Sequence, residues 1–452
     1  MKPNIFFVTV DSLRADRCFG GNRSAKTPNL DSLIKKGIYF SQAISAADQT
    51  GASLSSVFSG IFPIRTGKNQ ITFKSDTITY FSILKNSDYY TCTLVPDIAF
   101  FKEFTTNFDD KMIYAFENIK TRQHLGNDLG NKIIAKLKSK EMKEPWIYYI
   151  HLMDIHTPFS VPSEFDKEEN GETKYDRLVS LVDVWLGRFL NEINMENTII
   201  VVSADHGEYV PATDENISEI PNIQRLLTKG QTSNSFIEKM RMKTLLNLRF
   251  AAQTYRKEKL KRTLSSYEMR SFNTRSALDL YDELVRIPLI FAGRNVVESK
   301  VIPDLVRGVD IFPTIIDMIG LSNSMKSDGR SLLPLINNKK LDELPAYMEV
   351  GINLAQLVNS KNPKALAKII GVRTSEYKYL RARDDQYENV RLFDLKNDPL
   401  EEKNIVDKKP KIAKKMEEIL SQFTKDSKDD DSTLTDEDIK KAKETLLRLG
   451  YI

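Results

Sequence analysis

A chain of 452 residues has room for one large domain or two ordinary ones around a well-filled core. Its 41% hydrophobic and 28% charged content is that of a soluble globular protein and excludes a disordered chain. A net charge of +4 excludes a general polyanion-binding surface, and two cysteines, Cys18 and Cys92, are too few for a disulfide framework.

The N-terminus passes from Met1-Lys2-Pro3-Asn4 straight into Ile5-Phe6-Phe7-Val8-Thr9-Val10, an apolar run of strand length that ends at Asp11. A secretory leader needs a longer apolar region and a small-residue cleavage site, and no window approaches the roughly 18 apolar residues of a membrane span. A cytoplasmic location is expected. Thr27 to Ile34 is amphipathic and reads as helix. Ala47 to Ile61 reads A-D-Q-T-G-A-S-L-S-S-V-F-S-G-I, and hydroxyls beside glycine ordinarily serve as caps and turns. Further strand-like runs follow at Trp146 to His151, Thr198 to Ser203 and Ile287 to Ala292. Strands alternating with helices predict an α/β fold with a large, mostly parallel sheet sandwiched by helices. In such sheets ligands bind beyond the carboxyl ends of the strands.

The first strand is followed by Asp11-Ser12-Leu13-Arg14, the second runs into His151-Leu152-Met153-Asp154-Ile155-His156-Thr157-Pro158-Phe159, and the third into Ala204-Asp205-His206-Gly207-Glu208. A single Asp at a strand end is commonly a helix cap. Three of the four histidines on one rim, beside two such carboxylates, point instead to a metal site. Carboxylate and imidazole together suit Mg²⁺, Mn²⁺, Ca²⁺ or Zn²⁺.

These segments, in order, resemble the sulfatase family of the alkaline phosphatase superfamily. The resemblance is carried by V-T-V-D-S-L-R-A-D, T-P-N-L-D-S-L, S-L-S-S-V-F-S-G-I-F-P-I-R-T-G, H-L-M-D-I-H-T-P-F, S-A-D-H-G-E, Y-D-E-L-V-R-I-P-L-I, V-D-I-F-P-T-I-I-D-M-I-G, D-G-R-S-L-L-P-L and L-F-D-L-K-N-D-P-L-E-E-K-N. It implies the fold of that family, with a small C-terminal antiparallel-sheet subdomain. It implies that Asp11, Asp205, His206 and Thr50 hold one divalent ion, a second being left open by the four histidines. It implies Thr50, ten positions before Gly60, as nucleophile. Best-known sulfatases carry there a Cys or Ser converted to formylglycine; Thr50 cannot become that aldehyde, so no formylglycine is expected. His156 resembles the histidine that protonates the leaving group or binds the ester, and His151 either shares that role or is a core histidine bonded to backbone. Arg14 lies where it can reach an anionic substrate or form a surface ion pair.

Metal coordination lowers the pKa of a hydroxyl so that it can attack in line, and a phosphorylated threonine has an ordinary hydrolytic exit. A sulfated one lacks the aldehyde route. The expected activity is cleavage of a phosphate, phosphodiester or sulfate ester. The alternatives are a phosphoglycerol- or phosphoethanolamine-type transferase acting on a glycan or lipid, and an inactive binding module. The family's Lys-x-His element is missing around Pro96-Asp97, and Ala277 stands where a Lys is usual. Both departures argue against a standard arylsulfatase.

The boundaries expected are a catalytic domain over 1–340, a C-terminal subdomain over 341–424, and a charged linker with a closing helix over 425–452. Residues 215–275 read as a basic helical insertion, with 13 Lys and Arg against 3 Asp and Glu between Pro221 and Arg275. Its readings are a lid recruiting an anionic substrate, peripheral membrane contact through 236–262, or a solvated or oligomer-forming helix. Base-stacking aromatics are sparse there, so no nucleic-acid partner is expected. Lys378 and Arg381 are candidates to reach the site from the C-terminal strands, although charges beside an exposed strand ordinarily protect its edge.

Overall fold

Strands β1 (Asn4–Val10), β5 (Trp146–Leu152) and β6 (Thr198–Ser203) are buried at every position. That is why they read as unbroken apolar runs: helices cover both faces of a parallel sheet. They lie side by side, Thr9 opposite both His151 and Ser203. The structure, a computed structural model, describes residues 2–21, 23–66, 78–116, 124–139, 141–210, 258–271, 279–296, 299–322, 325–351 and 369–425, with single residues at 244, 248, 251, 254, 255, 427 and 440.

The remaining strands of the large sheet are β2 (Ile38–Ile44), β3 (Tyr90–Pro96), β4 (Asp110–Tyr114), β7 (Arg286–Gly293) and β8 (Lys300–Arg307). Its order is β4-β3-β5-β1-β6-β7-β2-β8. Every neighbouring pair is parallel except the two that involve β7, which runs against β6 and β2. The carboxyl ends of β1, β5, β6 and β2 therefore share one rim, and β7 begins there.

On one face the helices Thr50–Ser59 and Ile311–Met318 pack through Phe58 and Phe312 against Phe7 and Tyr149. Elsewhere the helix Lys174–Leu190 presents Asp183 to the helix Pro28–Lys35, where it accepts from the Leu30 amide (2.7 Å) and the Asn29 amide (3.1 Å). These are two of the N–H groups that a helix start leaves without intrahelical partners. The expected helix from Thr27 is thus capped from a distant element.

A second sheet of β12 (Arg391–Asp394), β11 (Tyr377–Ala382), β10 (Ile369–Arg373) and β9 (Ala346–Glu349) is antiparallel throughout. The helix Pro410–Thr424 covers it with Met416 and Leu420, which join Tyr347, Val372 and Leu392 in one apolar cluster. Lys378 and Arg381 on β11 correct the expectation of site-reaching cations. Lys378 is fully buried between Asp282 (2.6 Å) and Glu401 (2.7 Å), and Arg381 forks onto Glu417 at 2.9 and 3.2 Å. Buried charges need such partners.

The chain forms two compact units, 1–208 with 277–452, and 209–276. The second contains a short helix, Ser266–Arg270, started by a Ser265/Glu268 capping box. Most of the basic stretch 236–262 and nearly all of 425–452 lie outside the described residues. Among the described residues no helix is long and apolar enough to cross a membrane.

Candidate active site

Five of the residues singled out in the sequence meet at the shared rim. Thr50 opens its helix directly after Gln49, so its hydroxyl stands at the helix N-terminus, where first-turn amides favour negative charge. Its Oγ1 donates to Asp11 Oδ2 at 3.1 Å and lies 3.4 Å from His206 Nε2. His206 Nε2 is in turn 3.4 Å from Asp205 Oδ2, and His151 Nε2 is 3.4 Å from Asp11 Oδ2. Three serines of the 47–61 run do structural work. Ser53 Oγ donates to the Asp205 carbonyl (2.6 Å) with Ser45 Oγ beside it, while Ser56 and Ser59 bond carbonyls of their own helix.

The imidazoles are oriented by their second nitrogens. His206 Nδ1 donates to the Gly207 carbonyl (2.8 Å), and His156 Nδ1 to the Thr157 carbonyl (2.6 Å). A carbonyl only accepts, so a neutral ring carries its lone pair on Nε2 in both. His151 is fully buried with Nδ1 3.3 Å from Tyr149 Oη, so its ring meets a side chain at each nitrogen rather than the backbone. His156 packs edge-on against Phe116.

Electrostatics separate the two carboxylates. Burial would raise Asp11, but His156, His151 and His206 outweigh it and hold its pKa well below the usual range. Asp205 is pushed well above the usual range by burial and by the charge of Asp11. Two buried like charges in contact call for a cation between them. The atoms present fit one. Asp11, His151 and Asp205 each offer a ligand atom within 4.8 Å of the others, and Asp205 Oδ2 and His151 Nε2 have no hydrogen-bond partner despite full burial. Separations of 3.1 to 3.4 Å between neighbouring donors suit ligands held ~2.0–2.4 Å from a common ion.

A family model described as Sulfatase matches residues 3–321, which include every residue of this cluster. The chain belongs to the sulfatase family. A second model, N-sulphoglucosamine sulphohydrolase, C-terminal, matches residues 268–427 of this sulfatase-family chain. An N-acetylglucosamine-6-O-sulfatase of Bacteroides thetaiotaomicron is 20% identical over 95% of this chain and 88% of its own. Arylsulfatase K of Rattus norvegicus is 27% identical over 143 residues, 32% of this chain and only 25% of that relative. The crystal structure of Ps i-CgsB in complex with a neocarrahexaose superposes with a TM-score of 0.67 at 17% identity, covering 99% of this chain and 98% of that one. This last likeness is one of fold.

Arg14 is engaged within the protein. Its Nε and Nη2 donate to Asp16 (2.9 and 2.7 Å) and its Nη1 to the Glu208 carbonyl (3.3 Å), with the side chain 4% exposed. A guanidinium engaged in this way ties β1 to the loop after β6 instead of standing open to substrate. Asp97, at the position of the missing Lys-x-His element, pairs with Lys102, and Ala277 lies outside the described residues.

Sequence reasoning passed over Ser12, Gly207 and Asp48. Ser12 bonds both carboxylates. The Gly207 amide donates to the Leu284 carbonyl (2.8 Å), pinning the turn beside His206. Asp48 Oδ1 accepts from the Gly351 amide (2.7 Å), joining the approach to Thr50 to the end of β9. The one signal available was adjacency to a candidate ligand or nucleophile.

Proposed function

We propose that this chain is a metal-dependent hydrolase of an anionic ester in which Thr50 is the nucleophile. The observation that carries the reading is the Thr50 hydroxyl at a helix N-terminus, 3.1 Å from Asp11 Oδ2 and 3.4 Å from His206 Nε2. A divalent cation held by Asp11, Asp205, His206 and His151, with Mn²⁺ or Zn²⁺ favoured by the imidazoles, supplies Lewis acidity that lowers the hydroxyl pKa and offsets charge on the transferred group. Thr50 Oγ1, half-buried at the rim, gives up its proton to solvent and forms a bond to the phosphorus or sulfur of the ester. The bond to the leaving oxygen breaks, and His156 protonates that oxygen. Water then attacks the same centre and gives a proton to His156 Nε2, restoring the acid, the bond to Oγ1 breaks, and Thr50 regains its proton from solvent.

A phosphorus ester is the first choice, because phosphothreonine is released by ordinary in-line attack whereas a threonine sulfate has no aldehyde exit. The sulfate ester is the second reading, supported by the names of the sulfatase relatives, one of which acts on a sulfated N-acetylglucosamine. A glycan-linked ester suits both. The test is turnover of matched aryl sulfate, phosphomonoester, phosphodiester and phosphonate esters with Mn²⁺, Zn²⁺, Mg²⁺ or Ca²⁺, with and without an acceptor alcohol. One phosphorus ester should be cleaved, Thr50→Ala should lower kcat by at least about 10³-fold, and mass spectrometry of quenched enzyme should locate the adduct on Thr50. Cleavage of the sulfate alone would select the second reading. Full activity of Thr50→Ala would remove both.

A further inference from the structure

Asp205 has two side-chain oxygens, and the structure treats them unequally. Oδ1 accepts from the Ser12 amide (3.1 Å) and the His206 amide (2.8 Å), while Oδ2 has no hydrogen-bond partner. Asp11 is divided in the same way. Its Oδ1 accepts from the Ser12 hydroxyl (2.6 Å), and its Oδ2 faces Thr50 and His151. One residue, Ser12, thus occupies one oxygen of each carboxylate, using its amide for one and its hydroxyl for the other. The remaining oxygens are turned into the same space.

The backbone of Ser12 supports a reason beyond packing. Its φ is +63°, in the left-handed region that glycine adopts without penalty and other residues rarely enter. Were turn geometry the only requirement, glycine would serve better. Such a conformation persists where surrounding contacts over-determine it. Here the Tyr175 hydroxyl donates to the Ser12 carbonyl (2.8 Å) and accepts from the Arg14 amide (2.8 Å), fixing the turn from its far side. Ser12 itself is fully buried, so its hydroxyl has Asp11 rather than water to bond.

We propose that Ser12 is a positioning residue that presets the cation cradle, holding Asp11 Oδ1 through its hydroxyl and Asp205 Oδ1 through its amide so that both Oδ2 atoms face the ion. It touches neither ester nor ion and acts through the two carboxylates. The inference rests on Asp11 and Asp205 being cation ligands, and its test includes a control for that reading.

The experiment is calorimetric titration of the EDTA-stripped full chain with Mn²⁺, and in parallel with Zn²⁺, for wild type, Ser12→Gly, Ser12→Ala and Asp11→Asn, with the melting temperature of each apoprotein. Ser12→Gly keeps the amide, relieves the left-handed backbone and removes the hydroxyl. Its apoprotein should melt no lower than wild type while its metal Kd rises about 10–100-fold, the range for removing a group that orients a ligand. Ser12→Ala should show the same loss of affinity with a lower melting temperature. A purely structural serine would move melting temperature and leave Kd alone. If Ser12→Gly binds both ions as wild type does while Asp11→Asn binds them weakly, the positioning role is overturned and the cation site stands. If Asp11→Asn also binds like wild type, or wild type binds neither ion, the cation site is refuted and the inference falls with it.

Discussion

Removing the buried ammonium of Lys378 should destabilise the protein in a way that pH reverses. Its Nζ lies 2.6 Å from Asp282, 2.7 Å from Glu401 and 2.9 Å from the Leu280 carbonyl. In Lys378→Met the stem volume is kept and the charge lost. Asp282 retains Arg373, which donates to both its oxygens at 3.0 and 2.9 Å, so Glu401 is the carboxylate left without its ion-pair partner. Burial raises the Glu401 pKa above its ordinary 4.5, Lys378 opposes that rise, and the substitution removes the opposition. The charge penalty is capped by the cost of protonating Glu401 instead. From an unfolded value of 4.5 that cap is about 4 kcal/mol at pH 7.5 and about 0.7 kcal/mol at pH 5. A carboxyl with a raised folded pKa weakens folding above its unfolded pKa, and the penalty fades as pH falls towards that value. The expected loss is therefore about 3–4 kcal/mol at pH 7.5, within the range for breaking a buried pair, and about 1 kcal/mol at pH 5. Urea unfolding followed by the fluorescence of Trp146 and Trp185, both in the same unit as Lys378, reads it. Adding Glu401→Gln to Lys378→Met should recover most of the loss at pH 7.5. A loss below about 1 kcal/mol at pH 7.5, or an equal loss at pH 5, would refute the reasoning.

Gly207→Ala should disturb the site from behind, because its Cβ would meet the Glu283 carbonyl oxygen at 2.1 Å and Leu284 Cα at 3.3 Å, both backbone. A destabilisation of about 1–3 kcal/mol together with weaker Mn²⁺ binding is expected from melting and calorimetry. Unchanged values would show that the His206 turn moves freely. Stripping the cation with EDTA should lower the melting temperature of wild type, since an ion at 100 times its Kd stabilises the folded state by about 2.7 kcal/mol. Asp11→Asn should show little further fall on the same treatment, and an equal fall in both proteins would place the ion elsewhere.

The strands that form the rim were legible because β1, β5 and β6 are buried on both faces and so are apolar throughout. β2 was not singled out, as Ile38–Ile44 breaks its apolar run at the half-buried Ser41 and Gln42, beside a register shift in its pairing with β7. The direction of β7 was also hidden, since period and composition are the same whichever way a strand runs. At the site, residue types told which groups belong on the rim, but not which nitrogen or oxygen faces inward. That is decided by partners remote in sequence, such as Tyr149 for His151, and by a left-handed backbone at Ser12 that no composition rule signals. The two alternatives for Arg14 were inseparable for a related reason: residue type does not tell that Asp16, two positions on, accepts from its guanidinium.

The reversed strand has a structural consequence for the chemistry. In an all-parallel sheet, chain arriving at a strand enters from the end opposite the ligands. Because β7 alone runs the other way, the turn before it, Asp282–Val285, arrives at the rim where β6 delivers Asp205 and His206. There the Leu284 carbonyl takes the Gly207 amide, and Asp282 is gripped by Arg373 and Lys378 from β10 and β11. At the other side of the site β9 reaches the Thr50 approach, the Glu349 amide donating to the Ala46 carbonyl (3.0 Å) and the Gly351 amide to Asp48 (2.7 Å). The small sheet thus braces both the turn that carries His206 and the segment that carries Thr50. Changes in β9 to β11 that touch no substrate should therefore alter metal affinity and nucleophile placement together with stability.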